Sequence, residues 1–235
     1  MEATNKIIII IPVKDNLEFL KQNLLDLKKI SGADTLVVDD GSVDSTFEFI
    51  KDTHWIRYIK HELPLGYGGA LISGLEYACC YDYETVVTID PDNLEFISDI
   101  SMMLGNMDYG FDIVNCSRIL ENYDHSSIPK EIIDMTSSLS SSLRDITDID
   151  ITDPFSGIRA YRMESIKEMN LTEFTTGIHL QIWIQASYLG LNVIEIPSLS
   201  GKSFGKEFSE IDDPLGFYLS LMESEKYLYK NSNMN

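Results

Sequence analysis

Cysteine is scarce in this chain of 235 residues: three in all, two of them neighbours (Cys79 and Cys80). That is too few for a disulfide framework or a cysteine-based metal cluster, and it fits a reduced, cytoplasmic setting. Basic residues are outnumbered, with 18 Lys+Arg against 38 Asp+Glu and a formal charge of −20. This balance argues against nucleic acid as a partner, because phosphate neutralisation drives that binding. It also argues against unaided docking on an anionic membrane surface. A small anion held in a local cationic pocket remains open. No apolar run reaches the roughly 20 residues of a transmembrane segment. The stretch Ile7 to Val13 is too short for a signal-peptide core and is interrupted by Pro12.

The remaining composition, 44% apolar and 24% charged, is that of a globular protein with a substantial core. Ile7 to Val13 reads as a strand covered on both faces. Leu17, Leu20, Leu24 and Leu27 then recur at helical spacing up to Gly32, and Thr35 to Val38 is a second buried strand. Further strands are expected at 56–59, 85–89 and 111–116, with helices to about 52, from Tyr67 to Ala78 and over 95–107. Such alternation predicts an α/β fold with a mostly parallel central sheet flanked by helices. Ligands of these sheets sit beyond the carboxyl ends of the strands. The later half is expected to hold a helix at 128–143 beside a mobile serine-rich loop, a strand at 158–161, a helix at 177–189, a strand at 193–196 and a C-terminal helix. One domain is expected over 1–235, with a nucleotide-binding half (1–118) and an acceptor-side half (119–235).

Two clusters follow strands. Asp90-Pro91-Asp92 places two carboxylates where they can converge on a hard divalent cation, Mg²⁺ or Mn²⁺, although Asp and Pro also favour plain turns. In the run Val37 to Thr46, Asp40 projects over the strand end, where it can accept from a nucleobase N–H, while Asp39 and Asp44 serve the start of the next helix.

The segments IIIIIPVKDN, VVDDGSVDST, LGYGGALISGLEYA, VVTIDPDN, IVNCSRI, DPFSGIRAYR and LGLNVIEIP together resemble family 2 glycosyltransferases of the GT-A fold. Their flavour is that of the dolichol- and polyprenyl-phosphate sugar synthase branch. The resemblance implies a GT-A domain that moves a sugar, with inversion, from a UDP- or GDP-sugar to a lipid-phosphate or glycan acceptor. It places Pro12 and Lys14 beside the base, with Asp40 bonded to it and Gly68 in the nucleotide-sugar site. Asp90 and Asp92 hold the metal, and Arg118 reaches the phosphates. Gly157 and Arg159 shape the acceptor side, and Lys202 and Lys206 belong to a loop that closes over the donor.

Some positions depart from the family. Lys14 stands where an aromatic residue is frequent, Leu94 where the branch often has Gln, and Gln181 where an acid is common, with His179 nearby. A hydroxyl acceptor needs a general base whereas a phosphate does not, so Gln181 favours a phosphate acceptor or another base such as Asp153. A lipid acceptor implies a membrane-associated partner protein and a peripheral location. Met222, Tyr227 and Tyr229 offer either a homodimer contact or a core-facing helix, and Cys79, Cys80, Tyr77 and Tyr81 read as helix packing. The competing functions are a sugar nucleotidyltransferase, for which the loop after the first strand lacks the usual glycines and cations, and a catalytically degenerate sugar-nucleotide-binding subunit.

Overall fold

Five consecutive isoleucines open the first strand, and their β-branched side chains suit a pleated surface buried on both sides. In the computed structural model, which describes residues 6–30, 32–90, 97–120, 128–198, 208 and 211–232, they form β1 (Ile7–Val13). Ile8 and Ile10 point into one core layer, Ile9 and Ile11 into the other. The chain then alternates through α1 (Leu17–Leu27), β2 (Ala33–Asp39), α2 (Thr46–Asp52), β3 (Arg57–Lys60), α3 (Tyr67–Cys80), β4 (Thr85–Thr88), α4 (Ile97–Met107) and β5 (Ile113–Ser117). It continues as α5 (Lys130–Thr147), β6 (Arg159–Arg162), α6 (Met163–Ile166), α7 (Ile178–Tyr188), β7 (Val193–Pro197) and α8 (Pro214–Ser232).

The sheet runs in the order β3-β2-β1-β4-β6-β5-β7. Strands β1, β2, β3 and β4 pair in parallel, as do β5 and β7. Strand β6 is inserted antiparallel between β4 and β5, with Thr88 opposite Arg159. This reversal has a functional consequence. The residues preceding β6 arrive at the same carboxyl edge where β4 and β5 end, so 153–157 lies beside Asp90 and Arg118.

One face of the sheet is covered by α1, α2 and α4, through Leu20, Leu24, Leu27, Ile50, Ile100 and Met103. The other carries α3 and a further group, α5, α7 and α8, in which α7 is buried almost all round. The serine tract is entirely helical, and α5 runs to Thr147. Ser138, Ser141 and Ser142 donate to carbonyls four residues back, so the hydroxyls are satisfied within the helix. Residues 128–129 precede that helix, and no mobile loop interrupts the tract among the described residues. Cys79 and Cys80 are exposed rather than packed, while Met222 is buried and Tyr229 stacks on Tyr188. Among the described residues no helix is long and apolar enough to cross a membrane.

Candidate active site

Successive residues of a strand face opposite sides of its sheet, so the two acids ending β2 are separated. Asp40 turns toward α3. Its Oδ1 accepts from Leu65 N (2.8 Å) and lies 2.7 Å from His61 Nδ1, and its Oδ2 accepts from Gly66 N (2.9 Å). Asp40, expected as the base acceptor, clamps the approach to α3 with these bonds. Asp39 turns the other way, is fully buried, and accepts from Ser42 N through Oδ1 (3.1 Å). Its Oδ2 has no hydrogen-bond partner among the described residues. Of the two acids, Asp39 is therefore the one with an oxygen to offer.

At the end of β1, Pro12 is buried opposite Val38 and Lys14 is exposed. Asp15, with a left-handed backbone (φ 49°), accepts from Val43 N and Asp44 N (2.7 and 3.1 Å) and so fastens the loop after β2. Asp90 follows β4 and is half-buried. Gly157 backs it so closely that a Cβ there would stand 2.5 Å from Asp90 Cβ. Only glycine permits this approach, which fixes where the Asp90 carboxylate can stand. Asp92, Lys202 and Lys206 lie outside the described residues.

Arg118, just beyond β5, and Asp153 form a buried bidentate pair. Arg118 Nε donates to Oδ2 (2.7 Å), Nη2 to Oδ1 (3.0 Å) and its backbone N to Oδ2 (3.0 Å). Asp153, expected among the catalytic residues as an alternative base, is thus engaged through both oxygens as the counter-ion that orients Arg118. Behind it, Glu195 of β7 accepts from Thr152 N, Thr152 Oγ1, Asp153 N and Asn115 Nδ2. Burial pushes the Glu195 carboxyl up from its ordinary value, and those hydrogen bonds oppose the shift.

Arg159 is fully buried. Nε donates to Asn115 Oδ1 (2.8 Å), Nη2 donates to the Pro154 carbonyl, and the guanidinium lies over the Trp183 ring at 4.3 Å. Nη1 has no partner among the described residues. The same holds for the Tyr67 hydroxyl and for His179 Nδ1, whose rings are 5.1 Å apart. Burial, followed by the charges of Arg159 and Arg118, pushes His179 well below its ordinary value, so its imidazole is neutral. Burial, followed by the Asp90 carboxylate, pushes the Tyr67 hydroxyl well above its own, and Arg159 and Arg118 act against that.

Gly68, expected in the nucleotide-sugar site, has a packing reason to be glycine. A Cβ there would meet the Glu173 carbonyl at 2.2 Å, and its N–H donates to Phe174 O (2.9 Å), which closes the α3 N-terminus. Gln181 is fully engaged: Oε1 accepts from Thr172 N and Glu173 N, and Nε2 donates to Thr172 Oγ1 and Glu225 Oε1. It holds the 172–173 segment. Asp39, Tyr67 and His179, each with a buried polar atom that has no partner among the described residues, were not singled out as site residues from sequence, where His179 was read as a residue near Gln181. For Asp39 the strand period was the available signal, because adjacent acids must part to opposite faces.

The sequence and the fold have counterparts among known proteins. The sequence profile of glycosyl transferase family 2 matches residues 8–169, more than half of the chain. A dolichyl-phosphate hexose transferase of Haloferax volcanii is 30% identical over 176 residues, covering 74% of this chain and 73% of its own length. A polyprenol monophosphomannose synthase of Mycolicibacterium smegmatis is 26% identical over 171 residues, covering 69% and 64%. The glucosyl-3-phosphoglycerate synthase of Mycobacterium tuberculosis, solved with Mn²⁺, UDP and glucosyl-3-phosphoglycerate, superposes with a TM-score of 0.72 at 18% identity, over 95% of this chain and 81% of its own. The sheet with its reversed β6, the strand-end acids and the matched profile together make this chain a member of glycosyl transferase family 2, a glycosyltransferase of the GT-A fold.

Proposed function

We propose that the enzyme transfers a sugar, with inversion, from a UDP- or GDP-sugar to a polyprenyl-phosphate acceptor. The observation that carries the donor assignment is Asp39 Oδ2, a fully buried carboxylate oxygen without a partner at the carboxyl end of β2. Such an atom is costly unless a donor reaches it. Uracil N3–H and guanine N1–H each supply one, whereas cytosine presents an acceptor at N3. Pro12 borders this place on β1, and Lys14 stands exposed beside it.

A divalent cation fits the acid at the end of β4. Carboxylate oxygens suit Mg²⁺ or Mn²⁺, Gly157 leaves Asp90 one place to stand, and Asp92, two positions on in sequence, would be the second carboxylate to hold the ion. Such an ion, when bound, neutralises charge on the departing nucleoside diphosphate. A neighbouring family fold solved with Mg²⁺ or Mn²⁺ and UDP supports the same assignment. Arg118, held rigid by Asp153, and Arg159 place two guanidinium groups at the edge for the phosphates, where preorganised charge acts without reorganisation.

The acceptor reading rests on which groups are engaged. Asp153 and Asp40 hold N–H donors, and Gln181 holds a loop, so none of them is free to take a proton from a sugar hydroxyl. A phosphate oxygen is already a nucleophile and needs no base. The relatives' names, polyprenol monophosphomannose synthase and dolichyl-phosphate hexose transferase, agree with this. Leu63, Leu65 and Phe174, exposed beside the α3 N-terminus, give an isoprenoid tail apolar surface to follow.

The test is a thermal-shift panel of UDP-, GDP-, CDP- and dTDP-sugars with and without Mn²⁺, followed by turnover with a polyprenyl phosphate. A UDP- or GDP-sugar should stabilise the protein in a Mn²⁺-dependent way and yield a polyprenyl-phosphate sugar of inverted anomeric configuration. Stabilisation by CDP-sugars alone, or release of pyrophosphate, would refute the reading.

A further inference from the structure

Five buried side-chain polar atoms lack a hydrogen-bond partner among the described residues, and three of them belong to one neighbourhood: Tyr67 Oη, Arg159 Nη1 and His179 Nδ1. The Tyr67 and His179 rings are tilted against each other at 5.1 Å. Phe155 sets its edge toward His179 at 6.2 Å, and Trp183 lies under the Arg159 guanidinium. Arg159 Nη2 and Trp183 Nε1 both donate to the carbonyl of Pro154, the neighbour of Phe155, which joins the guanidinium to the same cluster. The neighbourhood thus has aromatic walls and three polar atoms facing no protein partner.

The chemistry of those atoms selects the ligand. Arg159 Nη1 can only donate, Tyr67 Oη donates, and His179 Nδ1 donates in the tautomer that carries its proton there. No carboxylate of a described residue forms an ion pair with Arg159, although acids outnumber bases two to one in this chain. A buried guanidinium without a counter-ion is a standing demand for an anion. Water would fill the hydrogen bonds and leave the charge uncompensated. A carboxylate or phosphate would meet both needs, and the donor and acceptor of the proposed transfer both carry phosphate.

We propose that Tyr67, His179 and Arg159 form a subsite for one oxygen of a phosphate group, either the acceptor's phosphate monoester or the donor's distal phosphate. The inference rests on the transferase reading for the source of the phosphate, and on the three unpartnered atoms for the anion itself. Gly157, two residues before Arg159, lies directly against Asp90, which sets the subsite beside the acid at the end of β4.

The full chain is titrated calorimetrically with inorganic phosphate, pyrophosphate, UMP and UDP, as wild type and as Tyr67→Phe, His179→Phe and the exposed control Tyr81→Phe. Tyr67→Phe removes only the hydroxyl, and His179→Phe keeps a ring against Tyr67, so melting temperatures report whether each variant is folded. Each of the two site variants should weaken phosphate or pyrophosphate by about tenfold, the worth of one hydrogen bond to a charged group, with the control unchanged. A raised KM for polyprenyl phosphate at unchanged UDP affinity assigns the oxygen to the acceptor. Weaker UDP at unchanged UMP affinity assigns it to the donor. Wild-type phosphate and pyrophosphate affinity in both folded variants, or no binding of either anion by the wild type at millimolar concentration, would overturn the subsite. A protein that turns over no sugar nucleotide yet loses phosphate affinity in the variants would sink the transferase reading and leave the subsite standing.

Discussion

Replacing Asp153 by Asn separates a positioning carboxylate from a catalytic base. The native carboxylate receives three N–H groups of Arg118, two from the guanidinium and one from the backbone, and both side chains are buried. The amide keeps one acceptor oxygen and turns an NH₂ toward a guanidinium that has lost its counter-charge. Breaking a buried ion pair from one side costs about 3–5 kcal/mol. For a chain of this size a shift of roughly 2–4 °C accompanies each kcal/mol, so Asp153→Asn should melt on the order of 10 °C lower. Replacing both partners with apolar residues of similar volume, Arg118→Met with Asp153→Leu, should return much of that stability, because no unpaired charge is left buried. Differential scanning calorimetry on the four corners of this cycle reads the coupling directly. Nucleotide binding should fall in Asp153→Asn through misplacement of Arg118, and the pH profile of kcat should keep its shape. A variant with wild-type melting temperature whose rate rises tenfold per pH unit would show that Asp153 acts as a base, and the positioning account would fail.

Gly157→Ala puts a Cβ 2.5 Å from Asp90 Cβ, so Mn²⁺-dependent UDP binding should weaken by a factor approaching ~100 in calorimetry, as expected for about 1 Å of misplacement. Unchanged affinity would show that Asp90 shifts at no cost. Gly68→Ala drives a Cβ against the Glu173 carbonyl at 2.2 Å and should lower unfolding free energy in urea by about 1–3 kcal/mol. Tyr83 is held protonated, first by burial and then by its hydrogen bond to Asp34, up to about 12, whereas an unfolded tyrosine ionises near 10. Its contribution is therefore complete below pH 10 and is lost as pH rises from 10 toward 12, so Tyr83→Phe should flatten that alkaline limb of the stability curve. Asp34 is lowered, chiefly by the same Tyr83 bond, so its contribution is present above its unfolded value of 3.8 and fades as pH falls below it, and Tyr83→Phe should blunt that acid limb too.

What the sequence disclosed was local, and what it hid was relational. The isoleucines of β1, the leucine spacing of α1 and the acids after β2 and β4 follow from short-range patterns, and the structure has those elements where the patterns put them. The insertion of β6 between β4 and β5 does not, because strand order is decided by pairing across dozens of residues. Arg118 meets Asp153 across 35 positions and Asn115 meets Glu195 across 80, so both arginine and acid looked available in the sequence although they are partners. Gln181 is the same case. In the place of a family acid it looked like a missing catalyst, but its four hydrogen bonds build the loop beside the site.

The surplus of acid also has a structural use that the net charge conceals. Loops at a sheet's carboxyl edge expose backbone N–H groups that no strand partner can satisfy. Asp15, Asp40, Asp153 and Glu195 each accept at least one such N–H, and each fixes a loop on which another site residue stands. A carboxylate occupied in this way is unavailable to ligand, so an acid at this edge is read by counting its donors. By that count, among the described residues, Asp39 keeps an open oxygen and Arg159 is a buried cation without an acid. The two lie on opposite faces of one sheet, Asp39 with the α1 layer and Arg159 over Trp183 of α7. A ligand meeting both demands must cross the sheet's edge, with a hydrogen-bond donor at one end and an anion at the other, and a nucleoside diphosphate, with a base N–H at one end and phosphate at the other, has that polarity.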